Sequence, residues 1–165
     1  MYIVLYLLAI VLANISVARF GPSVAIVNAF LFIGLDLTAR DKLHETWRGN
    51  GLLWKMAMLI AAGSVLSWVL NRNAGPIALA SFVAFAAAAS VDAAVYHKLL
   101  HMPKWARVNG SNIPAALVDS IVFPVIAFGW PPLLWLIVGQ FLAKVVGGFV
   151  WSVILLSQKL KFERA

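Results

Sequence analysis

The chain has 165 residues and carries 13 lysines and arginines against 6 acidic residues, a net charge of +7. Apolar residues make up 63% of it and charged residues only 12%, with a mean hydropathy of +0.93; soluble domains are about half apolar and a quarter charged, so this is the composition of an integral membrane protein. The basic residues flank apolar runs instead of forming a soluble patch, which argues against nucleic acid as a partner, and the absence of cysteine excludes disulfides, thiolate metal sites and cysteine nucleophiles.

Six apolar runs follow in chain order, approximately 2–18, 22–38, 53–70, 76–96, 113–128 and 132–157. Each has to be helical, because an open strand edge cannot satisfy its backbone groups in lipid. The length leaves no room for a soluble domain beside them, so residues 1–165 read as a single six-helix transmembrane domain, all-α in class. Breakers separate the runs at Gly21-Pro22, Gly49-Asn50-Gly51, Asn73-Ala74-Gly75-Pro76, His97 through Asn112, and Gly129-Trp130-Pro131-Pro132.

The first run is apolar from Tyr2 onward with no basic segment ahead of it, and reads as a retained span, not a cleaved signal. It contains Ala9-x-x-x-Ala13, a small-xxx-small packing motif. On the second, Asn28, Phe32, Asp36 and Arg40 recur at intervals of four and make one polar stripe. Ala39–Trp47 is too polar to span and reads as an interfacial helix, with Trp47 and Trp54 as anchors in the aromatic belt. On the fourth, Phe85 and Asp92 share a face, and Ala89–Tyr96 echoes Ala116–Phe123, aspartate for aspartate. Consecutive spans run in opposite directions, so the echo is an inverted pair of the kind transporters use.

The fifth run is the shortest, with Asn112 and Asp119 on one face and Pro124 expected to break the helix just beyond. Asp119 is then about six residues, or roughly 9 Å, inside its helix. A short, proline-interrupted span points to a binding site in a transporter. On the sixth, Gln140, Lys144 and Trp151 share a face, and Gly147 and Gly148 admit a close neighbour or ligand. Lys144 at the centre of this run costs ~2.5–3.5 kcal/mol unless it is paired. Asp36, Asp92 and Asp119 are its candidate partners, either as a structural ion pair or as part of a substrate site.

Orientation follows from charge. With the N-terminus in the cytoplasm, Arg40, Lys42, Arg48, Lys55, Lys98, Lys104, Arg107, Lys159, Lys161 and Arg164 fall inside and only Arg19 and Arg72 outside. The positive-inside rule therefore predicts a multi-pass protein with both termini cytoplasmic. His97 and His101 stand four apart, but three histidines in all are too few for a histidine-rich oxygenase, and no metal site is expected. With no phosphate-binding loop, nucleophile elbow or dinucleotide fingerprint, neither a cofactor nor catalysis is expected.

Gly34-Leu35-Asp36-Leu37-Thr38-Ala39-Arg40-Asp41-Lys42-Leu43-His44-Glu45, the aspartates of Ser90-Val91-Asp92 and Val118-Asp119-Ser120 with Asn112 ahead of the latter, and Gln140-x-x-x-Lys144 together resemble the queuosine-precursor transporters, also called the vitamin uptake transporter family. The resemblance covers essentially the whole chain from Val27 to the sixth span. It implies a fold similar to the six-helix substrate-binding component of energy-coupling-factor transporters, and import of 7-cyano-7-deazaguanine or a related 7-deazaguanine. Such a base presents N1–H and an exocyclic amine side by side, a donor pair that a carboxylate accepts in two-pronged fashion, while its carbonyl needs a donor. Asp119 would meet the donor edge, with Asp92 and Asp36 as alternates. Asn112, Gln140 and Asn28 would meet other polar groups, and Phe32, Phe85 or Trp151 the ring face. Lys144 would either donate to the carbonyl or hold Asp119 ionised. The expected partners are the small-molecule substrate and the lipid bilayer, with the protein acting alone or as a homodimer. The competing expectation is the substrate-binding subunit of an energy-coupling-factor vitamin transporter, docked on its ATPase-driven partner through the Ala9/Ala13 face.

Overall fold

The structure, a computed structural model, describes residues 2–32, 47 and 51–162, with the side chains beyond 150 outside that description. The described residues form six α-helices and no strand: α1 (Tyr2–Phe20), α2 (described over Ser23–Phe32), α3 (Leu52–Leu70), α4 (Gly75–Lys98), α5 (Lys104–Phe128) and α6 (Leu134–Phe162), with a single 3₁₀ turn at Arg72–Ala74 between α3 and α4. The all-helical expectation stands. Stretches within α1, α4 with its 3₁₀ lead-in, and α5 (Ile3–Phe20, Arg72–Lys98 and Gly110–Phe128) are long and apolar enough to cross a membrane; the described apolar parts of α2, α3 and α6 run 10–17 residues.

The α1–α2, α3–α4 and α5–α6 connections are short because each turn closes with little chain. Gly21, at φ 82°, ends α1 in the left-handed region where a side chain would be strained, and its N–H bonds back to the Val17 carbonyl at 2.9 Å. Asn71 leaves α3 extended and its side chain accepts from the Asn73 N–H at 3.1 Å, setting the turn that feeds Pro76 into the first turn of α4. Gly129 closes α5 in the same way as Gly21, at φ 85°.

Two apolar clusters hold the bundle. One joins Tyr6 of α1 to Met56, Leu59 and Ile60 of α3, with Phe82 and Phe85 of α4 and Trp47 against it. The other gathers Val17, Ala25, Ile77 and Leu136 from α1, α2, α4 and α6, flanked by Phe123 and Phe128 of α5, whose rings meet edge to face at 6.1 Å. The most extensive helix pairing is between α4 and α5. Around the outside, Leu12, Val65, Leu79, Val138 and Phe149 are all exposed, an apolar periphery suited to acyl chains and not to water.

Helix α5 departs most from expectation. It begins at Lys104, nine residues before the predicted start, and runs through both Pro114 and Pro124 to Phe128. Pro124 is therefore interior and not a breaker. A proline removes one backbone hydrogen bond, and packed neighbours in a membrane bundle make that loss tolerable. Likewise α6 begins two residues later than predicted and continues to Phe162. The predicted interfacial helix at Ala39–Trp47 lies outside the described residues apart from Trp47, whose ring carries the Lys55 ammonium 5.8 Å from its centroid.

Candidate functional site

Helices α5 and α6 form an antiparallel pair joined at Gly129, and their polar residues meet because of where they sit relative to that turn. Asp119 lies nine residues before the end of α5 and Lys144 ten residues after the start of α6. At 1.5 Å per residue both are about 14–15 Å from the turn, close to the middle of a hydrocarbon core ~30 Å thick. Asp119 is thus deeper than the expected start of α5 would place it.

The Lys144 ammonium donates to Asp119 Oδ2, to Ser120 Oγ at 3.2 Å and to Gln140 Oε1 at 3.5 Å. A lysine has three N–H donors and no acceptor, so these three partners use its full capacity. Side-chain exposure is 14% for Lys144 and 29% for Asp119, so the pair is largely removed from the surface while Asp119 stays partly reachable. Gln140 and Ser120 are buried. Pro124 adds to the polarity here, since without an N–H it leaves the Ser120 carbonyl without its regular helical donor. Ser120 was not among the expected site residues. Its signal was its place beside Asp119, one turn before an interior proline.

The other expected residues fall elsewhere. Asn112 is half-buried on the Asp119 face of α5, two turns nearer Lys104. Asp92, on α4, has a buried Oδ1 with no hydrogen-bond partner among the described residues, so the two echoed aspartates have different surroundings. Asn28 is spent on α1: its amide donates to the Ala13 carbonyl at 3.2 Å and to Ser16 Oγ at 2.8 Å. Phe32 is half-buried at the end of the described part of α2, and Phe85 packs in the Tyr6–Met56 cluster. Asp36 and the Trp151 side chain lie outside the described residues. A Cβ placed on Gly148 would meet nothing within 4 Å, whereas one on Gly139 would run into Ile26, so the close approach of α6 to a neighbour occurs at Gly139 and not at Gly148.

The Ala9/Ala13 face is covered from within: Ala9 is buried and the Ala13 carbonyl receives Asn28. Charge divides between the two ends of the bundle. The end of α1 packs against the Arg72–Ala74 turn, which brings Arg19 and Arg72 to one end, while Lys55 and Lys98 sit on the opposite ends of α3 and α4. Arg72 lies 4.4 Å above the Trp68 ring, a cation and an aromatic side by side at a helix end as in an interfacial belt.

No curated protein and no solved structure matches the chain. A family model described as "Putative vitamin uptake transporter" matches residues 2–157. With apolar helices built around a central ionic cluster, and a match over nearly its whole length, the chain belongs to that vitamin uptake transporter family of membrane proteins.

Proposed function

We propose that the protein imports 7-cyano-7-deazaguanine or a closely related 7-deazaguanine across the inner membrane, as a single six-helix domain with both termini in the cytoplasm. The observation that carries this reading is the cluster of Asp119, Ser120, Gln140 and Lys144 at mid-depth between α5 and α6. Charges held there are costly in lipid and mark substrate pathways. A carboxylate offers about four acceptor positions on its two oxygens, so Asp119 can hold Lys144 and still accept the paired N–H groups of the base. Lys144 keeps it ionised for that purpose. The division of Arg19 and Arg72 from Lys55 and Lys98 supports the orientation.

The test is uptake in cells unable to make 7-cyano-7-deazaguanine, read as queuosine in their tRNA. The wild-type protein is expected to restore the modification and Asp119→Asn to abolish it, because one acceptor oxygen becomes a donor facing the ligand's own donors. An inserted, folded wild type that restores nothing refutes the substrate. Reporter fusions at Ala165 and within Asn71–Gly75 should report opposite compartments, and agreement between them refutes the topology.

A further inference from the structure

We infer that the ligand's carbonyl is read by the Gln140 amide and not by Lys144. This deepens the 7-deazaguanine reading and rests on it. Both groups are donors on the same face of α6, one turn apart, and the sequence does not choose between them. The hydrogen-bond inventory does. All three Lys144 donors are taken, by Asp119, Ser120 and Gln140, so a ligand carbonyl would have to displace one of them.

Gln140 is the reverse case. A lysine ammonium can only donate, so the amide atom facing it has to be the oxygen, and this fixes the flip of the side chain. Its Nε2 then points away from Lys144 and is a buried donor with no partner among the described residues, on a side chain only 2% exposed. A buried amide donor left in this state is costly, because it has lost its water and gained no partner. An acceptor brought into reach of Nε2 recovers that cost, and a ring carbonyl beside the N1–H that Asp119 accepts is such an acceptor. Nε2 is sealed in this conformation, so a ligand gains it only when the packing around Gln140 opens. The binding site and the moving part of the transporter then coincide at α6.

The arrangement divides the work. Asp119 reads donors, Gln140 reads the acceptor, and Lys144 positions both through Asp119 Oδ2 and Gln140 Oε1. The ligand class follows: a planar heterocycle carrying a carbonyl next to an N–H, with its amino-substituted counterpart rejected.

The full-length protein in nanodiscs is titrated with 7-cyano-7-deazaguanine and with its 2,6-diamino counterpart, in which an amine replaces the carbonyl and N1 loses its hydrogen, so Gln140 is read from the change in preference between variants that share Asp119. Wild type, Gln140→Leu and Gln140→Glu are compared, each with a thermal melt. Gln140→Leu is expected to weaken the carbonyl compound by at least about ten-fold. Gln140→Glu keeps an acceptor for Lys144 and replaces the donor with an acceptor, so it is expected to shift preference toward the diamino compound. If Gln140→Leu does not fold, that shift carries the test alone. Unchanged preference in Gln140→Glu, or equal losses for both compounds, overturns the inference and leaves the substrate reading standing. A folded wild type that binds neither compound overturns the substrate reading, and this inference with it.

Discussion

Two sets of polar contacts hold this bundle together, and they are built from different materials. Between α1 and its neighbours α2 and α3 the contacts are neutral: Asn14 donates to Ser67 Oγ at 3.1 Å, and Asn28 donates to Ser16 and Ala13. Between α5 and α6 the contact is ionic, with a lysine and an aspartate at its centre. Neutral hydrogen bonds are the cheap way to join membrane helices, worth about 0.6 kcal/mol each on average. A buried ion pair is a poor choice for that purpose, because desolvation offsets most of its attraction. A bundle able to use amides on one side has no structural need of charges on the other, which is in keeping with the site proposed at α5–α6.

The sharpest way to break this comparison is Lys144→Met, which strands Asp119 without its cation. Removing one partner of a fully buried pair costs about 3–5 kcal/mol and this pair is part-buried, so the melting temperature should fall by less than that implies while uptake should vanish. Combining it with Asp119→Leu should recover most of the stability and none of the uptake. A double variant that still transports makes the pair a mere weld. Next in size is Gly63→Ala, whose added Cβ would lie 2.9 Å from Ile10 Cγ2 and 3.1 Å from Ile10 Cβ, atoms close to the backbone with little room to yield. Overpacking of this kind costs about 1–3 kcal/mol in a thermal or denaturant melt.

Smaller again is Asn14→Leu, which removes the α1–α3 hydrogen bond at a cost of about 1 kcal/mol and should leave uptake near wild type. Loss of transport without loss of stability would bring α1 into the proposed site. The smallest effect, and opposite in sign, is expected of Gly148→Ala. With nothing within 4 Å of the new Cβ, better helix propensity should stabilise α6 by about 0.5–1 kcal/mol.

The helices were legible in the sequence because apolar runs of this length have one solution in lipid, and so was the need of Lys144 for an acidic partner. The start of α5 was not. Gly110 and Asn112 read locally as loop signals, yet Gly110 lies against Leu99, where a Cβ would come within 2.8 Å of Leu99 Cδ1, and the helix continues through both. Tertiary packing overrode local propensity there. Asp119 as the partner of Lys144 was legible, and the two are paired; why they meet at one depth was not. That depends on the turn at Gly129 setting equal lengths of α5 and α6 on either side, which no local motif encodes. The neighbour that Asn28 meets was hidden for a related reason, since its place on a polar stripe says nothing about which helix the stripe faces.

The equal distance of Asp119 and Lys144 from the Gly129 turn also limits how the two helices can move. Sliding α6 along α5 by one helical turn, about 5.4 Å, would set Lys144 opposite Ala116 or Phe123, neither of which has a side chain able to accept a hydrogen bond. Translation is therefore blocked at the first step. Tilting about the contact keeps the ammonium and carboxylate together while the helix ends swing, so the ion pair restricts α5 and α6 to relative motions that preserve it.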